Sequence, residues 1–242
     1  MKKIMLGLLT IFLTTVFLAA CKSSAPPPSP TSEEGKATAV TPTKETPTKP
    51  PTAKEPPAPA QGGPAKEVKP VTPVKIDKPV DALTPEDMEK LTAVIETNQG
   101  VIKFKFFPKE APNTCKNFIK LAQAHFYDGL IFHRVIAGFM IQGGDPKGDG
   151  SSGPGYSIKA EFNSHNHVPG TVSMARSSDP DSAGSQFFIC LEAKSHLDGQ
   201  YTAFGQVSSG LEVVQKIGAT KTSPTDRPIE PQTMKKVYIE GL

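Results

Sequence analysis

Hydrophobic positions are distributed unevenly along this chain of 242 residues. A basic start is followed by a predominantly apolar run that ends at residue 20, and the next 60 positions carry almost no large apolar side chain. Regular spacing of apolar and polar positions begins only near residue 91. The pattern predicts a leader over 1–20, an unstructured segment over 21–80, and a folded domain over 81–242 with its core from about residue 91.

Two periodicities alternate within the folded domain. Residues 93–97 have the composition of a strand, residues 101–106 alternate with period two, and Asn98–Gly100 lies between them as a tight turn, which predicts an opening β-hairpin. Helical spacing predicts helices over 113–124, opening with Asn113 as a cap, and over 211–217, ending at Gly218. Five short apolar runs separated by loops, several of them glycine-rich, predict further strands at 131–141, 170–175, 185–191, 203–207 and 235–240. We therefore expect a mainly β domain in the form of a closed barrel with two helices.

A short helical turn is expected just before the core of the domain. Thr84 is typical of an N-cap, and Pro85 suits the first helical position because that position needs no backbone N–H. Farther upstream, residues 21–80 are rich in proline, threonine, lysine and alanine. This composition cannot bury a core and favours extended, solvated backbone, so the segment is expected to be a tether. Its Thr-Pro dipeptides could also bind proline-recognising modules, but composition explains them without a partner.

The apolar run of the leader, about 17 residues, is short for a membrane-spanning helix, so the leader predicts export. It ends in Leu18-Ala19-Ala20-Cys21, which resembles the lipobox of bacterial lipoproteins and implies cleavage before Cys21 and lipidation of its thiol. The alternative is an ordinary signal peptide with Cys21 left free. Lipidation would anchor the chain to a membrane. Because Lys22 is not the aspartate that often retains lipoproteins at the inner membrane, we expect the outer membrane where one exists, and otherwise the outer face of the cell membrane.

Charge and metal-ligand spacing narrow the partners. The net charge is +3 and no basic stripe follows any predicted element, so nucleic acid is not expected as a partner. His165 and His167 lack a third ligand at a recognisable spacing, so no metal site is predicted. Cys115 and Cys190 could form a bridge in an oxidising compartment, although their patterns favour burial as small apolar side chains, and the sequence does not decide. His133 is expected to be a core or hydrogen-bonded structural histidine.

Three motif blocks occur in order, at Phe132–Asp145, Ser173–Arg176 and Gly184–Cys190. With Leu197-Asp198-Gly199, Phe204-Gly205 and Arg227-Pro228, they make residues 91 to 242 resemble the cyclophilin family. The resemblance implies an eight-stranded antiparallel barrel capped by two α-helices. It also implies peptidyl-prolyl cis/trans isomerase activity on proline-containing segments of unfolded or exported proteins, with no cofactor, in a chain expected to be monomeric.

The resemblance also implies the site. Arg134, Phe139 and Gln142 match the catalytic positions of the family, and eight further residues match its substrate-binding positions: Met140, Ala175, Arg176, Gln186, Phe188, His196, Leu197 and Tyr201. Strict strand alternation places Phe139 on the face opposite Met140 and Gln142, so a bulge or twist is expected there. Many members carry asparagine where this chain has Arg176, which leaves the preference upstream of proline open.

Two departures bear on inhibitor binding and on alternatives. His196 stands where many eukaryotic members carry tryptophan, and Tyr201 where they carry histidine, so we expect weak binding of cyclosporin. A non-catalytic peptide-binding chaperone and a membrane-tethered envelope adaptor are the competing functions. The first would use the same groove without turnover, and the second would use the domain as a docking head.

Overall fold

A computed structural model describes residues 78–241, and all structural statements concern this range. The predictions for the leader, for Cys21 and for most of the tether lie outside it. Eight strands are present: β1 (Thr92–Thr97), β2 (Gly100–Phe106), β3 (Arg134–Ile136), β4 (Met140–Gly143), β5 (Thr171–Met174), β6 (Phe187–Cys190), β7 (Ala203–Ser209) and β8 (Met234–Glu240). The α-helices are α1 (Pro85–Glu89), α2 (Pro112–Gln123) and α3 (Leu211–Gly218). None of the helices described is long and apolar enough to cross a membrane.

All strand pairings are antiparallel, in the order β3-β4-β6-β5-β7-β2-β1-β8. The sheet is curled into a half-barrel, where the sequence predicted a closed barrel. Its two ends approach each other where Ile131, before β3, forms an isolated bridge with Thr233, before β8. The predicted hairpin is confirmed as β1 and β2, and the run 131–141 contains two strands because a turn at 137–139 divides it.

The concave side of the sheet encloses an aromatic core. Phe104 and Phe118 pack edge to face with centroids 5.2 Å apart, and Phe187 meets Phe118 at 5.6 Å. Helix α2 supplies Phe118 and also packs against β8, while α3 packs against β2. Edge-to-face pairs are favourable because the positive ring edge meets the negative face of its neighbour.

The start of each of the first two helices tests a sequence prediction. Thr84 and Asp87 form a reciprocal capping box at α1, as expected, with Pro85 as the first helical residue. The cap predicted for Asn113 is wrong, because α2 begins at Pro112 and Asn113 lies inside it. The Glu161 carboxylate accepts hydrogen bonds from the first turn instead, at 3.0 Å from the Asn113 nitrogen and 2.8 Å from that of Thr114. A remote acidic side chain thus satisfies backbone donors that the helix leaves unpaired.

Candidate active site

The candidate site lies on the outer face of β4 and β6. Successive side chains of a strand point to opposite faces, so Ile141 and Ile189 enter the aromatic core while their neighbours point outward. The outward residues form a second, smaller apolar cluster of Met140, Phe188, Cys190 and Leu197. A buried apolar floor is therefore present on the side of the sheet that faces away from the main core.

A cavity of about 240 Å³ opens above this floor. Its lining contains nine of the eleven matched positions: Arg134, Phe139, Met140, Gln142, Ala175, Arg176, Phe188, Leu197 and Tyr201. Four separate segments of the chain contribute these side chains, and the strand pairings bring them together. The structure therefore brings most of the predicted site residues together around one cavity.

Phe139 reaches the cavity from a turn and not from a strand. Gly138 has a φ of +69°, a left-handed conformation that suits glycine, and the Phe139 nitrogen donates to the Ile136 carbonyl at 3.0 Å. Strand β4 begins only at Met140 and pairs without a register shift. The bulge expected from strict alternation is therefore absent from β4, because Phe139 precedes the strand.

Arg134 stands at the rim with half of its side chain exposed. Its Nε lies 3.4 Å from Oδ2 of Asp226, and its two terminal nitrogens make no hydrogen bond to any described residue. Lys194 adds a second cation, 6.0 Å above the Phe139 ring. The mouth of the cavity therefore presents hydrogen-bond donors and positive charge above an apolar floor.

Two glutamines separate this cavity from a larger one beside it. The Gln142 amide donates to Oε1 of Gln186 at 3.0 Å, and the Gln186 amide donates to the carbonyls of Gly150 and Ser152 at 3.0 and 2.8 Å. Gln186 lines the second cavity, of about 560 Å³, whose walls also include the 150–157 loop and Ala175. The amide nitrogen of Gln186 is therefore bound to the 150–157 loop, whereas Oε1 of Gln142 has no partner among the described residues.

Arg176 and His196 occupy the remaining edges. The Arg176 guanidinium lies 4.6 Å above the Tyr201 ring and donates to the carbonyls of Gln200 and Ser177. It lines both cavities. His196 is exposed on a single 3-10 turn, with its ring 6.1 Å from Phe139, and does not line either cavity. Arg176 is thus bound to the protein itself, and His196 lies outside the cavity rim.

The other polar and thiol groups near the site have structural surroundings. His133 is buried and neither of its ring nitrogens has a hydrogen-bond partner among the described residues, so it is a core residue without the hydrogen bond considered from the sequence. Burial raises the pKa of the Cys190 thiol to about 12 and that of Cys115 well above its usual range, and both are free thiols. Neither is therefore an activated nucleophile. No group of three or more His, Cys, Asp or Glu residues suited to a metal ion is found in residues 78–241.

The arrangement defines a class of site. An apolar cavity of this size accommodates a small ring, the neighbouring groove offers amide and carbonyl groups to an extended backbone, and a guanidinium overhangs the junction. The two cysteine thiols within residues 78–241 are buried and are not activated. The site thus suits binding of a proline-containing peptide and a reaction that breaks no covalent bond.

Comparison with known proteins gives the family. The model of cyclophilin type peptidyl-prolyl cis-trans isomerases matches residues 92–239. An isomerase of Synechococcus elongatus is 53% identical over 127 residues, which cover 52% of this chain and 87% of that protein. Isomerase B of Bacillus subtilis is 47% identical over 142 residues, covering 58% and 91%. The chain belongs to the cyclophilin-type peptidyl-prolyl cis-trans isomerase family.

A solved structure agrees with this assignment. The cyclophilin type isomerase of Cryptosporidium parvum, crystallised in the presence of the dipeptide Ala-Pro, superposes with a TM-score of 0.60 and 34% identity. The match covers 62% of this chain and 99% of that chain, so the matched region is by itself a folded unit in that protein.

Asp226, which contacts Arg134, was not anticipated from the sequence, because nothing local marks a residue that pairs with a partner 92 positions away.

Proposed function

We propose that this chain accelerates rotation about the peptide bond preceding proline in exported polypeptides. The rotation crosses a barrier of about 18–20 kcal/mol because the planar amide loses its resonance. Uncatalysed, it takes tens to hundreds of seconds and limits the folding of many chains. The observation that carries the proposal is the Arg134 guanidinium, whose two terminal nitrogens bind no other residue within 78–241 and lie at the mouth of a cavity with an apolar floor.

The geometry supports a division of roles. The proline ring enters the cavity above Met140 and Phe188, and Oε1 of Gln142 accepts a hydrogen bond from the peptide backbone. Arg134 then donates toward the prolyl nitrogen, which gains electron density as the amide twists out of plane. A donor that interacts more strongly with the twisted amide than with either planar form lowers the barrier. The guanidinium suits this task because it remains charged and its donors lie in a fixed plane.

Residues that precede proline are placed in the second cavity, between the 150–157 loop and Arg176. Serine hydroxyls and glycine backbone line this cavity, so a range of side chains can enter it. Because the Arg176 guanidinium is already bound to the Gln200 and Ser177 carbonyls, we expect it to shape the groove more than to donate to the substrate.

The test compares residues 78–242 with an Arg134→Ala variant, following cis-to-trans relaxation of a proline peptide with a conformer-selective probe. We expect kcat/KM to fall roughly 10²-fold, which is typical of losing one donor to a transition state. Lys235→Ala is the matched control, because Lys235 is an exposed cation on β8. Acceleration that survives in the Arg134 variant would refute the role given to Arg134. No acceleration by the folded domain would favour the peptide-binding chaperone or the docking head.

The tethered location is proposed from the sequence alone. The Leu18–Cys21 lipobox supports lipidation of Cys21, and the proline-rich segment 21–80 would hold the domain away from the membrane. Metabolic labelling with a radioactive fatty acid tests this, with Cys21→Ser as the unlabelled control. Label that remains in Cys21→Ser, or protein that fractionates as soluble in its bacterial host, would exclude the anchor.

We also propose weak binding of cyclosporin. His196 is exposed, with its ring 6.1 Å from that of Phe139, and it presents less apolar surface beside the cavity than an indole would. His196→Trp should tighten binding by about tenfold, measured by inhibition of the isomerase assay. Nanomolar inhibition of the unmodified chain would contradict the proposal.

A further inference from the structure

We propose that Asp226 is a positioning residue that fixes the direction of the Arg134 guanidinium for isomerisation. The inference rests on the proposed function, because it concerns the residue that holds the proposed catalytic group, Arg134, in position. Asp226 Oδ2 lies 3.4 Å from Nε of Arg134, the only side-chain hydrogen bond that Arg134 makes within the described residues. The bond engages the inner nitrogen of the guanidinium and leaves both outer nitrogens available for substrate.

Asp226 also holds the strand that carries Arg134. Strand β3 has three residues and stands at the end of the sheet order, so β4 is its only paired neighbour there. On the other side the Val135 nitrogen donates to the Asp226 carbonyl at 2.8 Å. Asp226 therefore binds both the backbone next to Arg134 and the Arg134 side chain. Both ends of this side chain are held in position by the same residue.

The turn that presents Asp226 is itself tightly bonded. Ser223 donates from its nitrogen to the Arg227 carbonyl at 2.8 Å and accepts from the Asp226 nitrogen at 3.0 Å. Asp226 has a φ of +61°, a left-handed conformation that costs energy for a residue with a Cβ and persists only where neighbours enforce it. Arg227 Nη1 donates to the Gly148 carbonyl at 2.6 Å, tying the turn to the loop that leads into the second cavity. The position of the carboxylate is therefore set by the turn.

Two opposing effects decide whether Asp226 raises or lowers the rate of isomerisation. The carboxylate offsets part of the charge of Arg134, which would weaken its action on the amide. Both side chains are 40% or more exposed, so solvent screens that loss. The restriction of this long, mobile side chain acts in every encounter with substrate, and it rests on a directional hydrogen bond to Nε as well as on charge, so screening weakens it less. We therefore expect the pair to favour catalysis.

The experiment uses the full chain with two substitutions at one position. Asp226→Gly removes the carboxylate and suits the positive φ, whereas Asp226→Asn also tolerates that conformation and keeps an oxygen that can accept from Nε. We expect Asp226→Gly to lower kcat/KM about fivefold and Asp226→Asn to stay within about twofold of the unmodified chain. Glu230→Gln, an exposed carboxylate a few residues away, is the matched control and should leave the rate unchanged.

A second background separates positioning from general support of the fold. In Arg134→Lys the fork-shaped partner of Asp226 is gone, so adding Asp226→Gly should cost less than about twofold. An equal loss in both backgrounds, or a faster Asp226→Gly enzyme, would overturn the proposal. The Arg134 Nε–H signal in a nitrogen-15 NMR spectrum is the second readout. It should be shifted and sharp in the unmodified chain and averaged in Asp226→Gly, and identical signals would also overturn it.

This readout does not depend on turnover. If the unmodified chain proved to be folded but inactive, the proposed function would fail, and the NMR comparison would still decide whether Asp226 restrains Arg134.

Discussion

The buried ring of His167 connects three parts of the pocket wall. Its Nδ1 lies 3.0 Å from Asp198 Oδ1 and its Nε2 3.0 Å from Ser173 Oγ. The ring also stacks on Phe188 with centroids 6.0 Å apart. Because Asp198 directly follows Leu197, this network ties the loop that carries one pocket residue to the floor formed by another. We predict that replacing His167 loosens the pocket as well as the fold.

The protonation of the network follows from burial. Desolvation lowers the pKa of His167 below its usual value, so the ring is neutral at pH 7. The hydrogen bonds from the backbone and the side chain of His167 lower the pKa of Asp198, which remains a carboxylate and accepts the hydrogen bond that Nδ1–H of His167 donates. Nε2 is then an acceptor, and the Ser173 hydroxyl donates to it.

The cost of His167→Leu can be worked from these contacts. Loss of a hydrogen bond to a charged group removes about 1.5–3 kcal/mol, and leaving the fully buried Ser173 hydroxyl without a partner costs about 1–3 kcal/mol more. Asp198 keeps the His167 backbone donor at 2.7 Å and is partly solvated, so it adds little. We expect a total loss of about 3–4 kcal/mol. Adding Ser173→Ala should recover about 1 kcal/mol, because no buried donor then remains unpaired.

Urea unfolding of His167→Leu, Ser173→Ala and the double variant measures this, with the isomerase assay in parallel. We expect KM for a proline peptide to rise more than kcat falls, because the contact with the twisted amide is untouched. A loss below about 1 kcal/mol, or additive costs in the double variant, would refute the reasoning, since additive costs mean that the two side chains do not depend on each other.

Three further predictions concern stability. Burial lowers the pKa of His133 below its usual value, so on acidification the unfolded chain takes up a proton that the folded chain does not, and the free energy of unfolding should fall as pH drops below about 6.5. His133→Phe should make this pH dependence less steep without lowering stability at pH 7, because neither ring nitrogen has a partner among the described residues. Thermal unfolding from pH 5 to 8 checks this, and an unchanged slope would contradict it. Glu161→Ala should cost about 2–3 kcal/mol in urea because four hydrogen bonds to the start of α2 are lost, whereas a cost under 0.5 kcal/mol would mean that water replaces them. Gly144→Ala should prevent folding at 37 °C, as judged by soluble yield, because φ is +86° and the added Cβ would lie 2.4 Å from the Ser185 carbonyl oxygen; normal yield would show that the loop can shift.

Local sequence patterns predicted the elements that depend on local chemistry. The hairpin of β1 and β2 and the Thr84 cap require only neighbouring residues, and the structure confirms both. The cap at Asn113 was wrong because a carboxylate 48 residues away, on Glu161, reaches the same donors. Phe139 shows a related limit. Alternation describes positions within a strand and cannot indicate that Phe139 still belongs to the preceding turn and that β4 begins only at Met140.

The residues that line the cavity and the residues that hold them differ in how far sequence can reveal them. Arg134, Gln142 and Phe188 occur in continuous motif blocks, so a resemblance transfers them together. Their supports come from elsewhere: Asp226 reaches Arg134 across 92 positions, and His167 reaches Asp198 across 31. The local sequence around a turn residue does not indicate which side chain its carboxylate will meet, because that depends on how distant strands pair. Because a support residue works through geometry, several residue types can fill its place, so variation among chains that share one pocket is expected to concentrate at these positions and to tune rate without changing chemistry.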